Sequence, residues 1–279
     1  MMCPMLFVLV VQVGRSAVSL LCTARAPIVN ITVLSDSHAV HQQLRRMLDN
    51  ASCPGSVAVT NYSLDARHIS IEHIVGRFKQ LGIARVGHHS SWGGYAKLLV
   101  AELVPVAATL VVDTDTLFAR DATSTVWPQL ARFAPQQLLA ARGLRSKHGC
   151  VGPPHRLNSG VMLLDLQRMR AARWVDSLLA LPRAIADGDH GLAPCRKMVE
   201  VQAGNTRSPG LKMVYGDQEF ISVGCMRSPG ACGALPPAAH YDWCDRGSSG
   251  WAPGGTIYHF NCAAPMHSVP PTWLVNSNS

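Results

Sequence analysis

The sequence predicts an α/β fold with a mostly parallel central sheet and helices on both faces. Three observations carry that expectation. Short apolar, β-branched runs alternate with amphipathic stretches along most of the chain. Apolar residues make up 48% and charged residues only 15%, which supports a large core and excludes a disordered or fibrous chain. The 23 Gly and 18 Pro are scattered without a period, so no repeat array is present. The 279 residues are read as a single domain over 1–279.

The first strand is placed at Leu6–Val13, closed by Gly14 and followed by a short helix at Ser16–Thr23. A competing reading makes residues 1–24 a cleaved or anchoring segment. Against it, the apolar run Met5–Val11 is broken at Gln12 and Arg15, short of the ~20 residues that cross a bilayer. Met1–Met5 also lacks the positive charge that precedes a signal peptide's apolar region. No transmembrane segment is visible.

Ile28–Leu34 is apolar and β-branched and ends in Ser35-Asp36-Ser37, which stops a strand and caps a helix. His38–Leu48 is helical, with Leu44, Met47 and Leu48 on one face. Val57–Asn61 reads as a short strand, and Ala66–Leu81 as a helix carrying Ile69, Ile71, Ile74, Val75 and Phe78. Tyr95–Leu103 is a helix stopped before Pro105. Thr109–Val112 is a buried strand running straight into Asp113. Gln137–Ala141 and Val161–Leu164 are further short strands, and Leu166–Leu181 is a helix. Residues 182–212 and 228–256 have no clear period and are read as loop-rich insertions.

Lys and Arg exceed Asp and Glu by 25 to 17, a formal charge of +8. The basic residues are dispersed and aromatics are only 6%, so the stacking patch of a nucleic-acid binder is missing. Nine cysteines form no C-x-x-C pair. Cys225, Cys232, Cys244 and Cys262 cluster near the C-terminus among Gly, Pro and Ser, which suggests disulfides and an oxidising compartment. Sequons at Asn30, Asn50 and Asn61 fit a secretory setting, although Asn30 falls inside a strand.

The strongest chemical feature is Val111–Phe118, V-V-D-T-D-T-L-F. Asp113 and Asp115 stand where a buried strand ends, and two carboxylates there require a cationic partner because desolvating each costs several kcal/mol. Their i, i+2 spacing lets both reach one divalent ion such as Mg²⁺ or Mn²⁺. Alone, the motif equally allows Asp113 as a helix cap and Asp115 as surface. Three companions accompany it. Asn158-Ser159-Gly160 forms a polar turn before a buried strand, Gly216-Asp217-Gln218 opens a helix, and His259 lies in Y-H-F-N near the C-terminus.

Together these motifs resemble the retaining glycosyltransferases of family 8, in particular the glucoside and xyloside xylosyltransferase branch, with the LARGE-type transferases as near relatives. The resemblance runs from the first strand to about His267, through His88–Leu103, Asp113–Leu130, Asn158–Arg170 and Tyr258–Pro265. It implies a GT-A fold, Mn²⁺, a UDP-sugar donor, a glycoside or glycoprotein acceptor, and a Golgi or endoplasmic reticulum lumen. By that resemblance Asp113, Asp115 and His259 are the metal ligands. Val11, Gln12, Val13 and Lys97 contact uracil, ribose or phosphate, with Thr114, Gly160 and Asn261 beside the nucleotide sugar. Asn158, Ser159, Asp217 and Gln218 line the sugar and acceptor site, with Gln218 near the anomeric carbon.

Xylose is the expected sugar, and Trp92, Met162 or Phe220 would then block the C6 group of a hexose. Alternatives are transfer of glucose or galactose, a nucleotide-sugar hydrolase, and an idle carbohydrate-binding relative. Many family members carry a Lys shortly after the metal-binding His, where this chain has Ala263-Ala264-Pro265. At least one disulfide among the four C-terminal cysteines is expected to hold His259 in place.

Overall fold

The structure, a computed structural model, describes residues 5–10, 14–25, 28–35, 38–50, 61–68, 71–87, 91–144, 150–152, 154–202, 210–242 and 255–260. Strand and helix alternate at the start: β1 (Met5–Val10), α1 (Gly14–Thr23), β2 (Ile28–Ser35), α2 (His38–Asp49), β3 (Asn61–His68), α3 (Ile71–Lys79) and β4 (Ile83–Val86). Then come α4 (Ser91–Gly94), a 3₁₀ turn at Tyr95–Leu99, α5 (Val100–Leu103), β5 (Ala108–Asp113), β6 (Thr116–Phe118) and α6 (Ala122–Thr125). A second 3₁₀ segment, Trp127–Arg132, leads to β7 (Leu139–Gly143), β8 (Leu157–Asp165), α7 (Leu166–Ala171) and α8 (Trp174–Ala186). The last part holds a 3₁₀ segment at His190–Met198, β9 (Val199–Gln202), β10 (Gly210–Met213), α9 (Asp217–Arg227), β11 (Cys232–Ala234), β12 (His240–Asp242) and β13 (Ile257–His259).

Seven strands form the central sheet in the order β11-β7-β8-β5-β1-β2-β3. Only β8 pairs antiparallel with its neighbours, so the sheet is mostly parallel as expected. Side-chain alternation divides the interior in two. Val111, Leu139, Ala141, Met162 and Leu164 join one core with residues of α3, α5, α7, α8 and α9. Leu110, Val112, Ala140, Val161 and Leu163 join the other with residues of α1 and α2. Helices therefore cover both faces, and β5, β7 and β8 read as continuous apolar runs for that reason. Two three-stranded sheets, β4-β10-β9 and β12-β13-β6, flank this frame.

Several elements differ from the sequence expectation. Residues 66–68 extend β3 rather than open a helix, and α3 begins at Ile71. Tyr62, Leu64 and Ala66 alternate with polar residues at the strand period, and eight paired positions with β2 decide the matter. The expected strand at 57–61 otherwise lies outside the described residues.

The expected helix 166–181 is two helices, separated at Arg173 with φ 50°. Its buried apolar positions step by five residues from Met169 to Trp174, so a continuous helix would have turned the second stripe away from the core. Helix α8 also runs through Pro182 to Ala186, because Leu181 and Ile185 are both buried there. Residues 182–212 thus contain the end of α8, a 3₁₀ segment, β9 and the start of β10, and 228–256 contain β11 and β12. Asn158–Gly160 lies inside β8 rather than in a turn before it.

Cys22 is disulfide-bonded, and two disulfides join described residues, Cys150–Cys195 and Cys225–Cys232. The second meets the expectation of a pair among the C-terminal cysteines, but it ties α9 to the sheet edge at β11 and not to the strand carrying His259. Cys244 and Cys262 lie outside the described residues.

Candidate active site

The site gathers at the rim of the central sheet where the middle strand β5 ends. Asp113 is the last residue of β5, and Thr114 and Asp115 make the turn into β6. Strand β6 pairs with β13, placing Thr116 opposite His259. The Phe260 N–H donates to the Asp115 carbonyl at 2.9 Å, which fixes the turn against that strand. Residues 144 positions apart in sequence therefore meet: His259 Nε2 is 3.3 Å from Asp115 Oδ1 and 3.8 Å from Asp113 Oδ2.

One ligand atom from each of Asp113, Asp115 and His259 lies within 4.8 Å of the others. Two hard carboxylate oxygens with one imidazole nitrogen suit Mn²⁺ or another small divalent cation. Burial would raise the pKa of Asp115, but its hydrogen bond and attraction to His259 override this and hold it below the ordinary carboxylate value.

Gly160 explains the seat of His259. A Cβ on residue 160 would collide with the imidazole ring, so the ring rests directly on the β8 backbone. Asn158 is buried, and its Oδ1 accepts the Gly160 N–H at 2.8 Å, shaping that backbone from within.

Lys97 lies between the Asp113–Asp115–His259 group and α9. Its Nζ donates to Asp113 at 2.9 and 3.1 Å and to Ser159 Oγ at 3.3 Å, and stands 3.0 Å from Asp217 Oδ2. Burial would lower its pKa; Asp113 and Asp217 outweigh burial and raise it, so the ammonium is retained. An ammonium has three N–H groups, and carboxylates and a hydroxyl occupy all of them. Ser159 Oγ in turn donates to Asp217 Oδ2 at 2.8 Å, and the Ser159 N–H to Gln218 Oε1 at 3.3 Å. Three carboxylates around one ammonium leave a surplus of two negative charges, which one divalent cation balances.

The structure thus brings together Lys97, Asp113, Thr114, Asp115, Asn158, Ser159, Gly160, Asp217, Gln218 and His259. Val10, the last residue of β1, is in register with Asp113, while Val11, Gln12, Val13 and Asn261 lie outside the described residues. The residues considered for a sugar wall are placed otherwise. Met162 and Phe220 are 1% and 0% exposed within the core, and Trp92 packs on Phe78 and Tyr95.

Sequence reasoning missed His240, fully buried on β12 with its ring 5.6 Å from that of His259. Burial, followed by His259 and Arg142, keeps its pKa far below the usual value and the ring neutral. The only available signal was a His in a segment read as loop.

The comparisons with known proteins agree with this architecture. No protein-family model matches the chain. It is 32% identical over 123 residues to the human xylosyl- and glucuronyltransferase LARGE2, covering 37% of this chain and 17% of that protein. The chain therefore spans less than a fifth of the length of that relative.

Among solved structures it is similar to mouse xyloside xylosyltransferase 1, with a TM-score of 0.65 at 15% identity over 94% of this chain and 99% of that one. The galactosyltransferase LgtC, solved with donor and acceptor sugar analogues, gives a TM-score of 0.54 at 14% identity over 93% and 88% of the two chains. GlyE, a glycosyltransferase of Streptococcus pneumoniae, also gives 0.54 at 14% identity, over 93% of this chain and 55% of its own. The fold is the GT-A glycosyltransferase fold, as the sequence resemblance implied.

Proposed function

We propose, from this glycosyltransferase fold and the charge arrangement at the rim of its central sheet, that the chain is a retaining transferase moving xylose from UDP-xylose to a glycoside or glycoprotein acceptor. The observation that carries the reading is the meeting of Asp113, Asp115 and His259 next to the Lys97–Asp217–Gln218 chain. Asp113, Asp115 and His259 would hold Mn²⁺, which when bound supplies positive charge to the diphosphate leaving group. Lys97 donates to both Asp113 oxygens and holds that carboxylate aimed, so the ligand set is preformed. Asp217 and Ser159 hold one another at the far side of Lys97, and Gln218, in the first turn of α9, accepts the Ser159 N–H through its carboxamide oxygen beside them. An amide is a weak nucleophile, so Gln218 orients the sugar or stabilises positive charge at the anomeric carbon rather than forming a lasting bond.

Xylose is favoured over a hexose by the likeness to xyloside xylosyltransferase and by the partial identity to a xylosyltransferase. The two disulfides support a lumenal setting in the secretory pathway.

UDP release with Mn²⁺, screened over UDP-xylose, UDP-glucose and UDP-galactose and then over glycoside acceptors, tests the reading. UDP-xylose should turn over fastest, and chelator should abolish turnover. Asp115→Asn should remain folded and lose activity at least a hundredfold. Faster turnover of a hexose donor overturns the donor assignment. Full activity in excess chelator overturns the metal site, and release that no acceptor increases points to a hydrolase.

A further inference from the structure

The proposed metal site leaves one buried arrangement unaccounted for. His259 directs Nε2 at Asp115 and Asp113, while its Nδ1 is buried and has no hydrogen-bond partner among the described residues. Next to it His240 is 0% exposed, its ring tilted 43° to that of His259 at a centroid distance of 5.6 Å, and both of its nitrogens also lack a partner among the described residues. Three unsatisfied nitrogens in one enclosed spot are costly, because each buried polar group left unpaired keeps its desolvation penalty. Native interiors rarely tolerate this without a reason.

Chemistry supplies the reason. A histidine that ligates a metal through one nitrogen carries its proton on the other and donates it to a neighbour, which fixes ring orientation and basicity. The groups around His259 are divided by side. Asp113 and Asp115 lie at Nε2, and Gly160 offers only backbone beneath the ring. His240 is the neighbouring side chain with unpartnered nitrogens of its own. An uncharged imidazole presents one N–H and one lone pair, so it can serve Nδ1 of His259 in either tautomer. Without a cation, Nε2–H can donate to Asp115 and Nδ1 accepts. Were His259 to hold a cation through Nε2, its proton would lie on Nδ1, for His240 to accept. Arg142 braces this arrangement by donating from Nη1 to the His240 carbonyl at 3.4 Å.

We infer that His240 is a positioning residue, the hydrogen-bond partner of His259 Nδ1, directly or across one enclosed water, and that it holds the imidazole in the orientation a divalent cation requires. The inference rests on the reading of Asp113, Asp115 and His259 as a metal site.

Calorimetric titration with Mn²⁺ alone, without donor or acceptor, tests it on the full chain. His240→Phe keeps the ring shape and removes both nitrogens, and should weaken Mn²⁺ binding about 10- to 100-fold. His240→Gln restores a donor and an acceptor and should recover most of the loss, which a purely space-filling role would not produce. Equal affinity of wild type and a folded His240→Phe overturns the inference and leaves the metal reading standing. A wild type that binds no divalent cation overturns the metal reading and this inference with it. If His240→Phe does not fold, ¹⁵N-histidine spectra of the Mg²⁺-loaded wild type decide. A slowly exchanging Nδ1–H on His259 with cross-relaxation to the His240 ring supports the contact, and an Nδ1 proton exchanging freely with water refutes it.

Discussion

Gly160 shows how the absence of one atom positions a ligand. Its missing Cβ lets the His259 ring lie on β8, and any side chain there must push the imidazole away from Asp113 and Asp115. Gly160→Ala should therefore stay folded, lose about 1–3 kcal/mol to the forced shift, and bind Mn²⁺ at least tenfold more weakly in a titration. Unchanged affinity would mean that the ring has another stable position. At this scale the D-T-D pair was legible because charge at the end of an apolar run is anomalous in any sequence. His240 was not legible, since its meaning comes from a partner 19 positions later, across a strand pairing that no local pattern announces.

Helix α9 brings two carboxylates, Asp217 and Glu219, to the same end of the site. Burial raises the Glu219 pKa, Asp217 adds to the rise, and the backbone and Arg156, 3.9 Å away, only partly offset it. A raised folded value means that the protonated form is favoured on folding. Its contribution to stability is full below the ordinary glutamate value and is lost as pH rises through the folded one. Glu219→Gln should accordingly raise Tm at about pH 7 and leave it nearly unchanged at about pH 3, where glutamate is protonated in both states. Differential scanning calorimetry at the two pH values checks this, and a lower Tm at neutral pH would show that the Arg156 pair dominates.

The same helix packs closely on α8: a Cβ at Gly224 would come within 2.5 Å of Leu178 Cδ2 and 3.0 Å of Trp174 Cη2. Elements with a strong period, such as α2 and β5, were readable because burial on one side or both imposes the pattern directly. The break at Arg173, the continuation through Pro182 and the short strands β4, β9 and β10 were not. In each, packing against a distant element outweighs local preference.

At the scale of the whole molecule, the disulfides Cys150–Cys195 and Cys225–Cys232 close loops of different size. Cys150–Cys195 spans 45 positions and Cys225–Cys232 only 7. Loop-closure entropy then predicts about 4 kcal/mol for the first and about 2 kcal/mol for the second. Denaturant titrations of Cys150→Ala/Cys195→Ala and Cys225→Ala/Cys232→Ala should reproduce that order. The reverse order would mean that anchoring α9 matters more than restraining the unfolded chain.

The lone reversed strand of the central sheet has a consequence for how such a site is written in sequence. A fully parallel sheet collects functional residues where strands finish, so polar letters trail the apolar ones, as Asp113 follows T-L-V-V. Because β8 runs the other way, it reaches the same rim with its opening residues, and Asn158, Ser159 and Gly160 lead V-M-L-L instead. The two segments are mirror images in grammar, apolar-then-polar and polar-then-apolar. Which side of an apolar run the polar residues occupy thus records the direction in which the chain crosses the sheet.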